Sequence, residues 1–123
     1  MWSKLFPRYG NWGGPKWSGG AFPKTPEDTD WSVPGIDSMD DLFKEHDRGY
    51  QKAIKEHSAG ISDADGLDSD WEAADDALVN GLGNLPADPR KWPRASPCWC
   101  YAWGYRKLAV WAFWTRLKLW WRE

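Results

Sequence analysis

A chain of 123 residues with 41% apolar side chains is long enough for one modest core and too short for two, so a single domain over residues 1–123 is expected. Its formal net charge of −2 hides a split: residues 27–76 carry sixteen acidic and four basic side chains, whereas 90–123 carry eight basic and one acidic. The acidic middle argues against a nucleic-acid binder. The two cysteines, Cys98 and Cys100, are poorly spaced for a mutual bridge and lack the further ligands of a zinc site.

In chain order, MWSKLFPRYG offers no apolar run of the length a secretory signal needs, and Pro7 leaves at most one helical turn there. Tyr9 to Gly20, YGNWGGPKWSGG, holds five glycines and a proline, so it reads as a loop that turns sharply and leaves carbonyls free to converge on one centre. Such a loop suits a hard cation that takes oxygen ligands. Residues 21–36 hold three prolines and read as an irregular connector with Trp31 as its packing anchor. Ser38 with Asp41 then forms a capping-box pattern that opens a helix over 38–57. Met39, Phe43, His46, Tyr50 and Ala53 recur at helical spacing, which places His46 on the buried stripe and Asp47 about 100° round from it. A histidine on an apolar face is most often a satisfied core residue, so it is the loop upstream that gives this one a chemical reading. His57, near the helix end, reads as a surface residue.

The order of Tyr-Gly, glycine-rich loop and a helix carrying His-Asp-x-x-Tyr resembles the secreted phospholipase A2 superfamily, especially its small bacterial and viral members. The resemblance covers Tyr9 to Leu82, about six-tenths of the chain. It implies calcium held by the backbone oxygens of Trp12, Gly14 and Lys16 with the Asp47 carboxylate. It also implies His46 as general base, Gly14 N–H as an oxyanion donor, and Tyr50 bonded to an aspartate of the next helix. Two departures stand out. The family ties the loop to the helix with a disulfide whose positions are here Gly13 and Phe43, and Lys16 stands where glycine is common. A bridge closing a loop of this size contributes about 3 kcal/mol, which must be found elsewhere.

SAGISDADGLDSD reads as a solvated polar turn, and a second capping box, Ser69 with Glu72, opens a helix over 69–82 with Leu67, Trp71, Ala74, Leu78 and Leu82 facing inward. A short connection makes this helix antiparallel to the first. Two aspartates compete for His46. Ala-Asp-x-x-Leu at Asp75 resembles the viral members, Asp-x-x-Ala-Ala at Asp70 the secreted ones. Asp75 is the choice, because a first-turn Asp70 is explained by the helix dipole.

Beyond a proline-rich connector, residues 99–122 read as a tryptophan-rich basic helix. Trp103, Val110, Trp114, Leu117 and Trp121 share one face, expected to pack inward; Lys107, Lys118 and Arg122 lie together on another. Trp111 and Trp120 are expected to face lipid. Its longest uncharged run is far too short to span a bilayer. The expectation is therefore an all-α, phospholipase A2-like domain that uses calcium to hydrolyse the sn-2 ester of phospholipids at a membrane surface. The rival is a lipid-binding or membrane-disrupting protein acting through the tryptophan-rich helix. Oligomeric state stays open.

Overall fold

The computed structural model describes residues 7–14, 17–24 and 26–115. The protein is all-α: helices α1 (Ser38–Ser58), α2 (Ala64–Asn84) and α3 (Trp99–Trp114), with short 3-10 turns at Pro26–Asp28 and Pro89–Lys91. Among the described residues there is no strand, only isolated bridges pairing Tyr9 with Gly13 and Ser18 with Ala21.

Helix α1 begins where the sequence places it, but its cap is Asp37 rather than Ser38. The Asp37 carboxylate accepts from Asp40 N–H at 2.8 Å, and its other oxygen accepts from the Tyr9 hydroxyl. Ser38 is instead the first helical residue, and its hydroxyl accepts from Arg94 N–H at 2.7 Å. Aspartate and serine cap equally well, so the tertiary partners decide between them. The buried stripe Met39, Phe43, His46, Tyr50 and Ala53 is as the spacing predicts, and Asp40 and Asp47 join it underground.

Helix α2 corrects the expected 69–82 span. It starts at Ala64, capped by Asp63, whose carboxylate accepts from Gly66 N–H at 2.8 Å. The expected solvated turn is therefore helical in its second half, with Ser69 an exposed mid-helix residue and no cap. A run with Asp63, Asp65, Asp68 and Ser69 offers several equivalent start signals, and the earliest lengthens the helix at little cost because its polar residues face water. Gly81 and Gly83 also lie inside α2, which runs to Asn84. A Cβ at Gly81 would meet Leu42 Cδ2 at 2.9 Å, so α1 and α2 approach closely there and a larger residue would make the Leu42 side chain shift.

The two helices are antiparallel. Leu42 meets Gly81, His46 meets Asp75, Gly49 meets Ala74 and Tyr50 meets Trp71, so the partner number falls as the first rises.

Helix α3 covers the pair. Tyr105 meets the Phe43 ring edge-on with centroids 5.8 Å apart, and two turns later Phe113 meets His46 at 4.8 Å. Its inward face is Ala102, Tyr105, Ala109, Ala112 and Phe113, which corrects the expected tryptophan stripe. Trp103 and Trp114 point outward beside Trp99 and Trp111. Alanines let the helix approach closely, and an indole in those positions would hold it away. Leu117, Lys118, Trp120, Trp121 and Arg122, which the sequence assigned to this helix, lie outside the described residues. No helix among the described residues is long and apolar enough to cross a membrane.

Candidate functional site

The glycine-rich loop folds back onto α1, and a buried carboxylate at the head of the helix fastens it there. Asp40 Oδ2 accepts from Asn11 and Ile36 N–H and Oδ1 from Trp12 N–H, each at 2.9 Å. Burial pushes the Asp40 carboxyl up to about 6, with the three amides pulling the other way. Gly10 is at φ +53° directly beside this carboxylate, which leaves no space for a side chain. Tyr9 and Trp12 complete the attachment: both are buried, Tyr9 against Phe43, Tyr101 and Tyr105, and Trp12 stacked on Trp31 at 5.0 Å. Trp31 is thus the anchor the sequence leads one to expect. Gly13 lies against Phe43, where an added Cβ would sit 3.0 Å from the Phe43 ring and 2.8 Å from Tyr9 Cβ. Gly13 and Phe43, the two positions that the resemblance would join by a disulfide, are therefore in contact, a ring packed on bare backbone.

On the same helix, two turns below Asp40, His46 and Asp47 are buried, only 3% and 5% exposed. His46 Nε2 lies 2.6 Å from Asp75 Oδ1, and the same oxygen accepts the Tyr50 hydroxyl at 2.7 Å. A carboxylate only accepts, so this contact places the imidazole proton on Nε2. The other ring nitrogen, Nδ1, is 3.8 Å from Asp47 Oδ1. Burial works against the imidazolium, but the flanking carboxylates of Asp47 and Asp75 outweigh it and hold the His46 pKa above the ordinary value. Asp47 in turn is pushed up to about 6 by burial, against the pull of His46 and Ser18.

The two rivals for His46 are separated by exposure. Asp75 is 4% exposed and touches the imidazole, whereas Asp70 faces solvent in the second turn of the lengthened α2. Orientation, not first-turn position, removes Asp70. Tyr50 reaches Asp75, stacks on Trp71 at 5.5 Å and tilts against the His46 ring at 4.4 Å. His57 is exposed.

For the expected cation, the described residues offer no group of three or more His, Cys, Asp or Glu side chains that could hold a metal. They offer something else. Asp47 Oδ1 is a buried carboxylate oxygen with no hydrogen-bond partner among the described residues, and Asp47 Oδ2 is fastened to the loop by the Ser18 hydroxyl at 2.6 Å. The Trp12 carbonyl takes no hydrogen bond among the described residues, and that of Gly14 takes one long one, from Trp17 N–H at 3.3 Å. A carboxylate oxygen and loop carbonyls are the kinds of donor a hard divalent cation takes. Lys16, the third expected carbonyl, lies outside the described residues.

Sequence reasoning missed three participants. In the sequence Ser18 is one more residue of a glycine loop, Asp40 one of two adjacent acids at a helix start, and Phe113 part of an aromatic run. The only signals for them were a hydroxyl ahead of a diglycine and an aspartate one helical turn from Phe43.

Comparison with known proteins brings no family model, no curated protein and no solved structure that matches this chain.

Proposed function

We propose that the protein is a calcium-dependent phospholipase A2-like hydrolase, a single domain in which His46 activates water against the sn-2 ester of a glycerophospholipid. The observation that carries this reading is the buried chain Tyr50–Asp75–His46, set beside an Asp47 whose free oxygen and glycine-loop tether fit a cation. Burying two carboxylates and an imidazole is expensive for a chain of this size, and one helix stripe filled with leucine would be cheaper.

In this reading each side chain has a definite task. Asp75 holds the proton on Nε2, which leaves Nδ1 as the basic nitrogen on the side facing Asp47. His46 Nδ1 takes the proton of a water as that water attacks the ester carbonyl, and returns it to the departing glycerol oxygen. Tyr50 keeps Asp75 from turning away. The developing oxyanion is received by Gly14 N–H, and no covalent intermediate is needed. Asp47, with the carbonyls of Trp12, Gly14 and Lys16, would hold calcium, whose chemistry here is to polarise the carbonyl and offset the substrate phosphate. Phe113 packs edge-on against the imidazole, so a substrate reaching His46 from that side would have to displace this ring.

The same helix supplies the surface. Trp99, Trp103, Trp111 and Trp114 are exposed, with Lys107 lying 3.8 Å over the Trp103 ring and Arg90 4.5 Å over Trp99. Indoles with cations beside them suit the headgroup zone of an anionic phospholipid surface. This face equally favours the rival, a lipid-binding protein without turnover. Fatty-acid release from mixed micelles separates them, measured with calcium and with chelator for the parent and for His46→Gln. Release that needs calcium and vanishes in the variant is expected. Membrane binding or vesicle leakage without release would leave only the rival.

A further inference from the structure

The second half of the glycine loop is built around one hydroxyl. Gly19 and Gly20 both adopt positive φ, +67° and +76°, the pair of values that a two-residue mirror-image turn demands. Ser18 N–H donates across this turn to the Ala21 carbonyl at 2.9 Å, and Gly20 N–H donates to the Asn11 carbonyl at 2.8 Å. A Cβ at Gly19 would meet the Asp30 carbonyl oxygen at 2.9 Å. The turn is thus fixed to the first half of the loop, which Asp40 holds on α1. What it presents to the helix is the Ser18 side chain, whose Oγ donates to Asp47 Oδ2 at 2.6 Å.

We infer that Ser18 is a positioning residue for a divalent cation at Asp47: its hydroxyl ties down Oδ2, fixes the rotamer, and presents Oδ1 to the ion. This rests on the calcium reading given above. A serine has one proton to donate, so it satisfies one carboxylate oxygen and no more. The result is the asymmetry observed, with Oδ2 bonded and Oδ1 buried without a partner among the described residues. Without the hydroxyl the carboxylate is free to rotate toward His46 Nδ1, already 3.8 Å away, and to trade the ion for the imidazole. Supports of this outer kind orient metal ligands, and their loss commonly weakens metal binding about ten- to hundredfold.

The test titrates calcium chloride into the full chain by calorimetry, with terbium luminescence sensitised by tryptophan as a second readout. Four proteins are compared: the parent, Ser18→Ala, Ser18→Cys, which keeps the size but donates poorly, and Ser18→Thr, which keeps the hydroxyl. Calcium should bind about ten- to hundredfold more weakly to the alanine and cysteine variants, and within about threefold of the parent to threonine. The rise in Tm that calcium brings should shrink in parallel, while melting in chelator stays cooperative. Should the alanine variant fail to fold, the cysteine and threonine pair carries the same contrast. A parent that binds no calcium overturns the calcium reading and this inference together. A parent that binds, with alanine and cysteine binding equally well, overturns the inference alone; so does an equal loss in all three variants, which would make the turn's shape, not the hydroxyl, responsible.

Discussion

Helices α1 and α3 break opposite rules. Helix α1 puts Asp40, His46 and Asp47 inside, while α3 puts Trp99, Trp103, Trp111 and Trp114 outside and fills its inner face largely with alanines. Each inversion is unfavourable taken alone: buried charge demands partners, and an exposed run of indoles invites association. The two failures call for different remedies. On α1 the partners are already in the chain, because Asp40 is met by three amides and His46 by Asp75. On α3 nothing among the described residues covers the outer indoles beyond the stacked cations Arg90 and Lys107. The contrast teaches that Asp40 and His46 on α1 find their partners within the chain, whereas the outer indoles of α3 are left exposed.

The sharpest way to break the first half of that contrast is Asp75→Asn. The amide keeps the size and can still accept from Tyr50, but it removes the carboxylate that pins the His46 proton to Nε2. Under the proposed function, phospholipid hydrolysis should fall about 10³- to 10⁴-fold, with the helical circular dichroism unchanged. A loss of less than about tenfold would reduce the His46–Asp75 contact to a packing feature.

A smaller effect sets the two helices directly against each other. Phe43→Ala, at a fully buried position that touches Tyr9, Tyr105 and Gly13, should cost about 3–5 kcal/mol of stability in urea unfolding. If Phe43→Ala costs less than about 1 kcal/mol, the core contains slack there and the ring does not hold the loop on the helix.

Next in size is Asp40→Asn. One amide oxygen cannot replace both carboxylate oxygens, so at least one of the three loop N–H groups is left facing an NH₂, at about 1–3 kcal/mol. The pH dependence is the finer probe. The folded Asp40 carboxyl is pushed up to about 6 by burial, above its ordinary value, so the folded state holds this proton more tightly than the unfolded chain. Its contribution is therefore greatest below the unfolded value and is lost as pH climbs through about 6. Urea midpoints measured from pH 4 to pH 7 should decline more shallowly in the asparagine variant than in the parent. An identical slope in both would show that Asp40 does not titrate in this range.

What could be read in the sequence follows the same division. The α1 stripe was legible to the residue because Met39, Phe43, His46, Tyr50 and Ala53 are separated by polar residues, so only one face is apolar. Asp75 is preferred over Asp70 in the sequence on a first-turn argument that the earlier start of α2 removes, and burial is what separates them. The start of α2 was not legible, since Asp63 and Ser69 are both competent caps and only packing selects between them. The inner face of α3 was illegible for a deeper reason. Tryptophan and alanine interleave along this stretch of sequence, and hydropathy ranks an indole above a methyl without registering that close helix packing selects the methyl. Contacts such as Ser18 with Asp47 and Asn11 with Asp40 join residues 29 apart, and no local pattern announces them.

The smallest effect on the fold bears on the outer half of the contrast. Trp111 and Trp114 are 54% and 74% exposed and flank a groove of about 370 Å³ lined by Leu82, Val110, Arg106 and Lys107. Replacing either by alanine removes little that is buried, so stability should change by no more than about 0.5 kcal/mol. Partitioning onto anionic vesicles should respond much more. An indole that leaves water contributes about 1.5 kcal/mol at the low end of full burial, and that is about a tenfold loss of binding for each substitution. Centrifugation with phosphatidylglycerol vesicles reads this directly, and neutral vesicles show how much of the attraction belongs to Arg106 and Lys107. A double variant that binds vesicles like the parent but melts several degrees lower would mean that the outer indoles serve the fold, and the opposition between α1 and α3 would lose its functional meaning.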